Sequence, residues 1–324
     1  MISRMFTTGI IVVTSFIANL ADAEGAIDKY PEYFQGRNGW VFAKQDYIDL
    51  QKIKDIKFFW YQIHFDMVKR IIEGLEKRGI TAVIVPIPHR TNVYPQTLPD
   101  DLYKEYTAKE DTYSLTLKEL DARNIKYVDV LSPLKNSSYY SKPEGVYYRL
   151  EPHWNAYGAI LSAKTVAEKV KGLFNISKLP KIPFKIAFGI PKTREDVFWR
   201  NNLPKGEQTK IKPDIEIPYT LSGKSATTSL LTDTVPAVTL IGTSFTGYGF
   251  ISGLKSGLQT DVLDQSLPGK GMWTPMIEYL RSNNFKKSPP KIIVWEVQET
   301  ILNNYPMPTD EDKVTLDLLF PIIK

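Results

Sequence analysis

The chain has 324 residues, of which 43% are hydrophobic and 24% charged, so it holds enough apolar material for a large folded core. It contains no cysteine, which excludes disulfides, thiolate metal sites and cysteine nucleophiles. Lys and Arg outnumber Asp and Glu by 41 to 36, and the net charge of +5 is spread along the chain. This balance argues against dedicated nucleic-acid binding and leaves an acidic polymer open as a partner.

Residues 1–23 have the pattern of a secretory signal peptide. Arg4 supplies a positive start, residues 6–18 are apolar and uncharged, and residues 21–23 (Ala-Asp-Ala) fit a small-x-small cleavage site. The apolar stretch of ~13 residues is shorter than the roughly 20 that cross a bilayer. We therefore expect export to the periplasm and a single mature domain over residues 24–324, with an uncleaved membrane anchor or a buried helix over residues 1–23 as the alternatives.

After the leader, apolar runs typical of buried strands alternate with amphipathic helices. This alternation predicts an α/β fold with a mostly parallel sheet between helical layers. The predicted strands lie in residues 36–42 (after a turn), 81–87, 127–130, 234–242 and 291–297, and the predicted helices are residues 58–78, 107–124, 156–173, 247–258 and 275–282. Residues 175–232 have little periodicity, so we expect an irregular insertion there with a few β-segments over the core.

A serine follows the buried strand that ends near Gly242. In Gly242-Thr243-Ser244, the glycine permits a sharp turn at the carboxyl edge of the sheet, where α/β folds place their sites. A helix after the serine directs backbone N–H groups towards a developing oxyanion. Ser244 is therefore a candidate nucleophile, and a serine that only caps the next helix is the alternative.

An acid lies two residues before a histidine, directly before the helix over residues 156–173. In an extended segment this spacing points Glu151 and His153 to the same side. The carboxylate can then hold the imidazole while its other ring nitrogen faces a nucleophile. His153 is a candidate base and Glu151 its orienting acid; a packing histidine beside a helix start is the alternative.

The two other histidines carry weaker signals. His64 lies inside the helix over residues 58–78 and is interpreted as a packing or surface residue. His89 follows the strand over residues 81–87 and is a candidate for lining the site rather than for the base. No group of side chains has metal-ligand spacing and there is no phosphate-binding glycine loop, so we expect neither a metal nor a cofactor.

Five short motifs occur in one order along residues 30–305. They are Gly36-Arg37-Asn38-Gly39-Trp40-Val41-Phe42; Val85-Pro86-Ile87-Pro88 with Tyr94-Pro95 and Leu98-Pro99; Tyr147-Tyr148 with Glu151, His153, Trp154 and Gly158; Ile241-Gly242-Thr243-Ser244-Phe245; and Ile293-Val294-Trp295-Glu296-Val297. Each motif is short, and the ordered set is what makes the likeness specific. Together they resemble the alginate O-acetyltransferase family of the AlgX and AlgJ type.

This resemblance implies an SGNH-hydrolase-like three-layer sandwich whose acid and histidine precede the serine, a permuted order relative to ordinary SGNH enzymes. Carried over by position, it makes Ser244 the nucleophile, His153 the base and Glu151 the orienting acid. Glu151 departs from the family, which usually has Asp there, and its side chain is one methylene longer. The resemblance also implies periplasmic acetylation of an exopolysaccharide, with acetyl groups supplied by a membrane-bound O-acyltransferase partner.

Acetyl transfer through an acetyl-serine needs groups that hold the oxyanion and the polysaccharide. The candidates are the backbone N–H of Ser244 and Gly271 for the oxyanion, Trp154, Tyr157, Tyr248 and Trp273 for sugar stacking, and Lys270 and Arg90 for a uronate carboxylate. For the side chains, ordinary packing or surface charge is the alternative. Three functions remain open from sequence: a polysaccharide O-acetyltransferase, an esterase with the same triad, and a non-catalytic polysaccharide-binding scaffold.

Overall fold

The structure is a computed structural model. It describes residues 26–55, 59–194, 198–223, 235–304 and 306–320. The predicted signal peptide over residues 1–23 lies outside the described residues. Within the described part, no helix is both long enough and apolar enough to cross a membrane.

Strands and helices alternate along the chain, as predicted. The strands are β1 (Tyr33–Gln35), β2 (Val41–Ala43), β3 (Thr81–Ile87), β4 (Lys185–Phe188), β5 (Lys192–Thr193), β6 (Ile215–Glu216), β7 (Tyr219–Ser222), β8 (Val238–Ile241), β9 (Leu263–Asp264) and β10 (Ile292–Gln298). The helices are α1 (Lys44–Asp55), α2 (Phe59–Lys77), α3 (Arg90–Val93), α4 (Asp100–Thr107), α5 (Thr112–Ala122), α6 (Leu131–Asn136), α7 (Ala156–Leu173), α8 (Phe198–Asn201), α9 (Lys205–Gln208), α10 (Phe250–Leu258), α11 (Trp273–Arg281), α12 (Asn283–Lys287), α13 (Glu299–Asn304) and α14 (Asp310–Leu319).

The core is a parallel sheet with the strand order β3–β10–β8–β9. Alternate residues of β3 face opposite sides of this sheet, because successive side chains of a strand point to opposite faces. Val83 and Val85 join one apolar cluster, which includes residues of α7 and α10. Ala82 and Ile84 join a second cluster, which includes residues of α2, α11 and α14. The predicted α/β sandwich of three layers is confirmed.

Two predicted elements differ from the structure. The helix predicted over residues 107–124 is interrupted, because the Asp111 side chain accepts the N–H of Ser114 at 2.8 Å and starts α5 anew. The strand predicted over residues 127–130 is only a single parallel bridge between Ile84 and Tyr127. There the chain leaves the sheet edge, since Asp129 accepts the N–H of Leu131 at 2.8 Å and begins α6.

The segment after α7 forms two small antiparallel ribbons in its described part. In one ribbon β4 pairs with β7, and in the other β5 pairs with β6. The second ribbon ends beside the loop that precedes α7. The predicted insertion over residues 175–232 therefore contains β-segments, as expected, and part of it reaches the candidate site.

Helices α7 and α10 pack closely because small residues line their contact. A Cβ atom added at Gly253 would lie 2.7 Å from the Ala163 Cβ and 3.0 Å from the Ile160 Cα. Both neighbours are rigid, so an additional methyl group there forces the two helices apart. Gly172, near the end of α7, offers a contrast, because an added Cβ meets no atom within 4 Å.

We predict that Gly253→Ala lowers the free energy of unfolding by about 1–3 kcal/mol, the usual cost of overpacking. The matched variant Gly172→Ala should be neutral or raise this free energy by up to ~1 kcal/mol, because alanine favours helix. Chemical denaturation of both variants beside the wild type measures the difference. Equal effects of the two substitutions would contradict the packing argument.

Candidate active site

The candidate nucleophile lies on a tight turn at the carboxyl end of β8. The strand ends at Ile241, and a 3-10 helix over Ser244–Thr246 follows after two residues. A side chain at Gly242 is excluded, because an added Cβ would lie 2.4 Å from the Glu296 Oε2. The glycine is therefore required by the close approach of β10, and it brings Ser244 to the sheet edge, as the sequence predicted.

A buried carboxyl group holds the backbone of this turn. Glu296, near the end of β10, is fully buried and accepts the backbone N–H of Thr243 at 2.6 Å. The Thr243 hydroxyl lies 3.1 Å from each carboxyl oxygen. Burial raises the pKa of Glu296 to about 7, although the bonds from Thr243 act in the opposite direction. Glu296 thus fixes the residue directly before Ser244.

The histidine segment reaches the serine from a hairpin-like loop. Tyr147 and Trp154 form an antiparallel bridge, and the N–H of Tyr148 donates to the His153 carbonyl at 3.0 Å. Directly after the loop, Asn155 caps α7 by accepting two backbone N–H groups at 3.0 and 3.2 Å. The loop and the cap together fix the backbone on both sides of His153.

The structure brings the three predicted triad residues together. The His153 Nε2 lies 2.7 Å from the Ser244 Oγ, a hydrogen-bond distance, although 91 residues separate them in sequence. The Glu151 Oε2 lies 3.9 Å from the His153 Nδ1, which is an ion-pair distance but too long for a hydrogen bond. The arrangement suits a general base next to a hydroxyl nucleophile.

Glu151 has a second partner that the sequence did not predict. Its Oε1 accepts a hydrogen bond from the Arg194 Nη1, and both side chains are about 85% buried, with exposures of 15% and 14%. Burial alone would raise the pKa of Glu151, but the hydrogen bond from Arg194 and the charges of Arg194 and His153 outweigh burial and lower it. The acid is therefore held as a carboxylate.

The oxyanion candidates lie on two segments that are joined to each other. No described residue accepts the backbone N–H of Ser244, so this donor is available to a ligand. Gly271 is buried and has a left-handed backbone with φ of 65°. Its loop is tied to the serine turn, since the N–H of Leu267 donates to the Gly242 carbonyl at 3.0 Å. Lys270, on the same loop, is exposed.

Three proposed substrate contacts need correction, because their side chains are buried. Trp154 is 0% exposed and donates from its Nε1 to the Phe245 carbonyl at 2.9 Å, so it joins the histidine and serine segments. Trp273 is 2% exposed and packs against Trp295. Arg90 is 0% exposed and cannot meet a uronate carboxylate.

Arg90 instead holds the loop that carries the acid. Its Nη1 lies 2.8 Å from the Arg149 carbonyl and 3.2 Å from the Glu151 carbonyl, and its Nη2 donates to the Val41 carbonyl. A guanidinium with five donors in a fixed plane suits such a cluster of backbone oxygens. The role is structural, and burial lowers the pKa of Arg90 to about 10.

Two tyrosines of the candidate set take different positions. Tyr248 is partly exposed, has φ of 55° and lies 4.8 Å from the His153 ring between centroids, so it remains a candidate for substrate contact. Tyr157 is 8% exposed and stacks on Tyr139 at 4.0 Å, which makes it mainly a packing residue.

Neither of the other histidines lies at the triad. His64 is 4% exposed and stacks against Trp273, in agreement with a packing role. His89 is 1% exposed and caps α3 by accepting the N–H of Thr91 at 3.2 Å, so its proposed place in the site lining is corrected. Among the described residues, no group of three or more His, Asp or Glu side chains could hold a metal ion.

Comparison with known proteins identifies the family. Residues 34–299 match the family described as SGNH hydrolase-like domain, acetyltransferase AlgX. The chain belongs to this family. The AlgX-family assignment agrees with the order of acid, histidine and serine, and with the three-layer fold.

Two curated relatives are 27% and 30% identical to the chain over the aligned residues. It is 27% identical over 286 residues to a probable alginate O-acetylase AlgJ from Pseudomonas syringae pv. tomato, covering 83% of this chain and 70% of the relative. It is 30% identical over 292 residues to the alginate biosynthesis protein AlgX of that organism, covering 85% of this chain and 57% of AlgX.

Two solved structures agree in fold. The O-acetyltransferase domain of Pseudomonas putida AlgJ has a TM-score of 0.69 and 21% identity, covering 89% of this chain and 99% of that domain. Pseudomonas aeruginosa AlgX gives 0.66 and 22%, covering 89% of this chain and 67% of AlgX.

The buried carboxyl under the serine turn predicts a pH dependence of stability. The folded pKa of Glu296, about 7, is above the ordinary value of 4.5, so the folded state binds this proton more tightly than the unfolded state. Its stabilising contribution is complete below pH 4.5 and is lost as the pH rises through 7. The loss is on the order of 3 kcal/mol by pH 8.

Glu296→Gln keeps an acceptor for the Thr243 N–H and cannot ionise. We therefore predict that this variant gains stability relative to the wild type between pH 5 and pH 8. Chemical denaturation at both pH values measures the gain, with the exposed Glu278→Gln as the control that should show none. A wild-type pH dependence that Glu296→Gln leaves unchanged would contradict the role of this carboxyl.

Proposed function

We propose that this chain is an O-acetyltransferase that acetylates hydroxyls of an alginate-like anionic polysaccharide through an acetyl-Ser244 intermediate. The observation that carries the proposal is the 2.7 Å contact between the His153 Nε2 and the Ser244 Oγ in a chain of the AlgX family. Relatives named alginate O-acetylase support alginate as the acceptor, and the net charge of +5 suits a polyanion.

In the first half-reaction, the Ser244 Oγ attacks the carbonyl carbon of an acetyl donor and His153 takes the hydroxyl proton. The new C–O bond forms a tetrahedral oxyanion, which the N–H of Ser244 and, in our proposal, that of Gly271 stabilise. Collapse breaks the bond to the donor's leaving group, which takes the proton from His153. Loss of one oxyanion donor typically lowers the rate by about 10²–10³-fold.

In the second half-reaction, a sugar hydroxyl attacks the acetyl-enzyme. His153 takes the proton of this hydroxyl, the C–O bond to Ser244 breaks, and the serine recovers its proton. Tyr248 and Lys270 are proposed to contact the incoming polysaccharide, since both are accessible to solvent. Water in place of the sugar gives an esterase on the same residues.

The proposed setting is the periplasm. Residues 1–23 would direct export, and a membrane-bound O-acyltransferase would supply acetyl groups from the cytoplasmic side. Related proteins named for alginate biosynthesis support a role on this polysaccharide.

Intact-mass spectrometry tests the acetyl-serine directly. The mature protein is incubated with 4-nitrophenyl acetate, with and without a mannuronate oligosaccharide. We expect a transient acetyl adduct on the wild type and acetylated oligosaccharide. Ser244→Ala should lose the adduct and at least about 10³-fold of the turnover, because the nucleophile is removed.

The control variant is Ser288→Ala, which changes an exposed serine and should behave as the wild type. Ester turnover that ignores the oligosaccharide would instead indicate an esterase or a different acceptor. Equal turnover by Ser244→Ala and the wild type would overturn the assignment of the nucleophile and favour a binding scaffold.

A further inference from the structure

The ribbon formed by β5 and β6 in the insertion contacts the loop that carries the acid. Arg194 directly follows β5, and Asp214 directly precedes β6. The backbone N–H of Arg194 donates to the Asp214 carbonyl at 2.8 Å, so the two residues lie side by side at one end of the ribbon. Both side chains extend to the segment over residues 149–151.

Asp214 holds the backbone of this segment. It is 3% exposed, and its carboxylate accepts the N–H of Arg149 at 3.0 Å and the N–H of Leu150 at 3.0 Å. The Arg149 Nε also lies 3.3 Å from the Asp214 Oδ1. The two residues before Glu151 are thereby fixed to the insertion.

Arg194 holds the carboxylate itself. Its guanidinium donates to the Glu151 Oε1 and lies 4.2 Å from the centre of the Tyr148 ring and 5.8 Å from that of Tyr248. The contacts with the carboxylate and the rings restrict the guanidinium plane. The second carboxylate oxygen remains on the side of His153, 3.9 Å from its Nδ1.

We propose that Arg194 is a positioning residue of the acetyl-transfer site, an inference that rests on the proposed function. A glutamate has one more rotatable bond than an aspartate, and ordering it costs conformational entropy. A charge-assisted hydrogen bond from Arg194 selects the side-chain conformation that directs the other oxygen to His153. The insertion thus supplies the partner that the longer acid requires.

Charge around the acid determines how the site responds to pH. Glu151 faces His153 and Arg194, with the phenols of Tyr148 and Tyr248 nearby, and the buried Arg90 acts on it through charge. Arg194 helps to lower the pKa of Glu151. Removal of its positive charge should raise the pKa of Glu151, so the acid limb of the pH–rate profile should move to higher pH.

The test compares Arg194→Gln, Arg194→Lys and the wild type in the hydrolysis of 4-nitrophenyl acetate. We expect Arg194→Gln to lower kcat by about 10-fold or more, with KM within about twofold, as for other residues that orient a catalytic group. The acid limb should shift upward, and Arg194→Lys should recover part of kcat. The control Lys192→Gln changes an exposed cation of the same ribbon and should leave kcat and the pH profile unchanged.

A crystal structure of Arg194→Gln gives a readout that does not need turnover. We expect the Glu151 carboxylate to leave its place beside His153 while the backbone over residues 149–153 stays fixed by Asp214. The proposal is overturned if the Glu151 carboxylate of Arg194→Gln has not moved. It is also overturned if Arg194→Gln has the kcat and the pH profile of the wild type, or if the substitution changes only KM. If the wild type does not turn over the ester, the proposed function fails, and the position of Glu151 still decides this inference.

Discussion

The candidate site depends on a buried hydrogen bond that joins two segments distant in sequence. The Trp154 Nε1 donates to the Phe245 carbonyl at 2.9 Å, and the indole stacks on Phe250 at 5.4 Å between ring centres. His153 directly precedes Trp154, and Ser244 directly precedes Phe245. Their 2.7 Å contact therefore follows from a hydrogen bond that solvent does not reach. A buried donor left without its acceptor is costly, which makes this junction a strong constraint on the catalytic distance.

The carboxyl edge of the sheet is stabilised by buried polar groups rather than by apolar packing alone. Glu296 holds the serine turn. Glu299, directly after β10, accepts hydrogen bonds from the Asn92 side chain and, at 3.0 Å, from the Thr112 hydroxyl. Burial raises the pKa of Glu299 to about 8, as it raises that of Glu296. Both pKa values lie above the ordinary 4.5, so the stability that these carboxyls contribute decreases as the pH rises from about 4.5 to about 8.

The sequence predicted the elements whose signals are local. The strand over residues 81–87 and the helix over residues 156–173 agree with the structure to the residue, because a continuous apolar run marks the first and the Asn155 cap marks the start of the second. The candidate triad was predicted because the acid lies two residues before the histidine, directly before that helix, and because the serine follows a buried strand. The burial of the Trp154 side chain was not predictable, because a tryptophan in sequence can equally stack on a sugar or fill the core. Arg194 was missed, because its contact with Glu151 bridges 43 residues and depends on how the insertion folds back.

Two parts of the fold therefore build the candidate site, and they differ in how far their residues can change without disturbing the core. The contact between His153 and Ser244 belongs to the sheet and its two neighbouring segments, where loss of the Trp154 indole, or of the hydrogen-bond acceptor at Glu296, disturbs the core. The surroundings of Glu151 belong partly to the insertion, which lies outside the sheet and can change without repacking it. The 2.7 Å contact between His153 and Ser244 is present without a direct hydrogen bond between Glu151 and His153, so a glutamate at this position is compatible with that contact. Glu151 has a second partner in Arg194, and the peripheral ribbon that carries Arg194 is a part of the fold that can provide such a partner at little cost to the core.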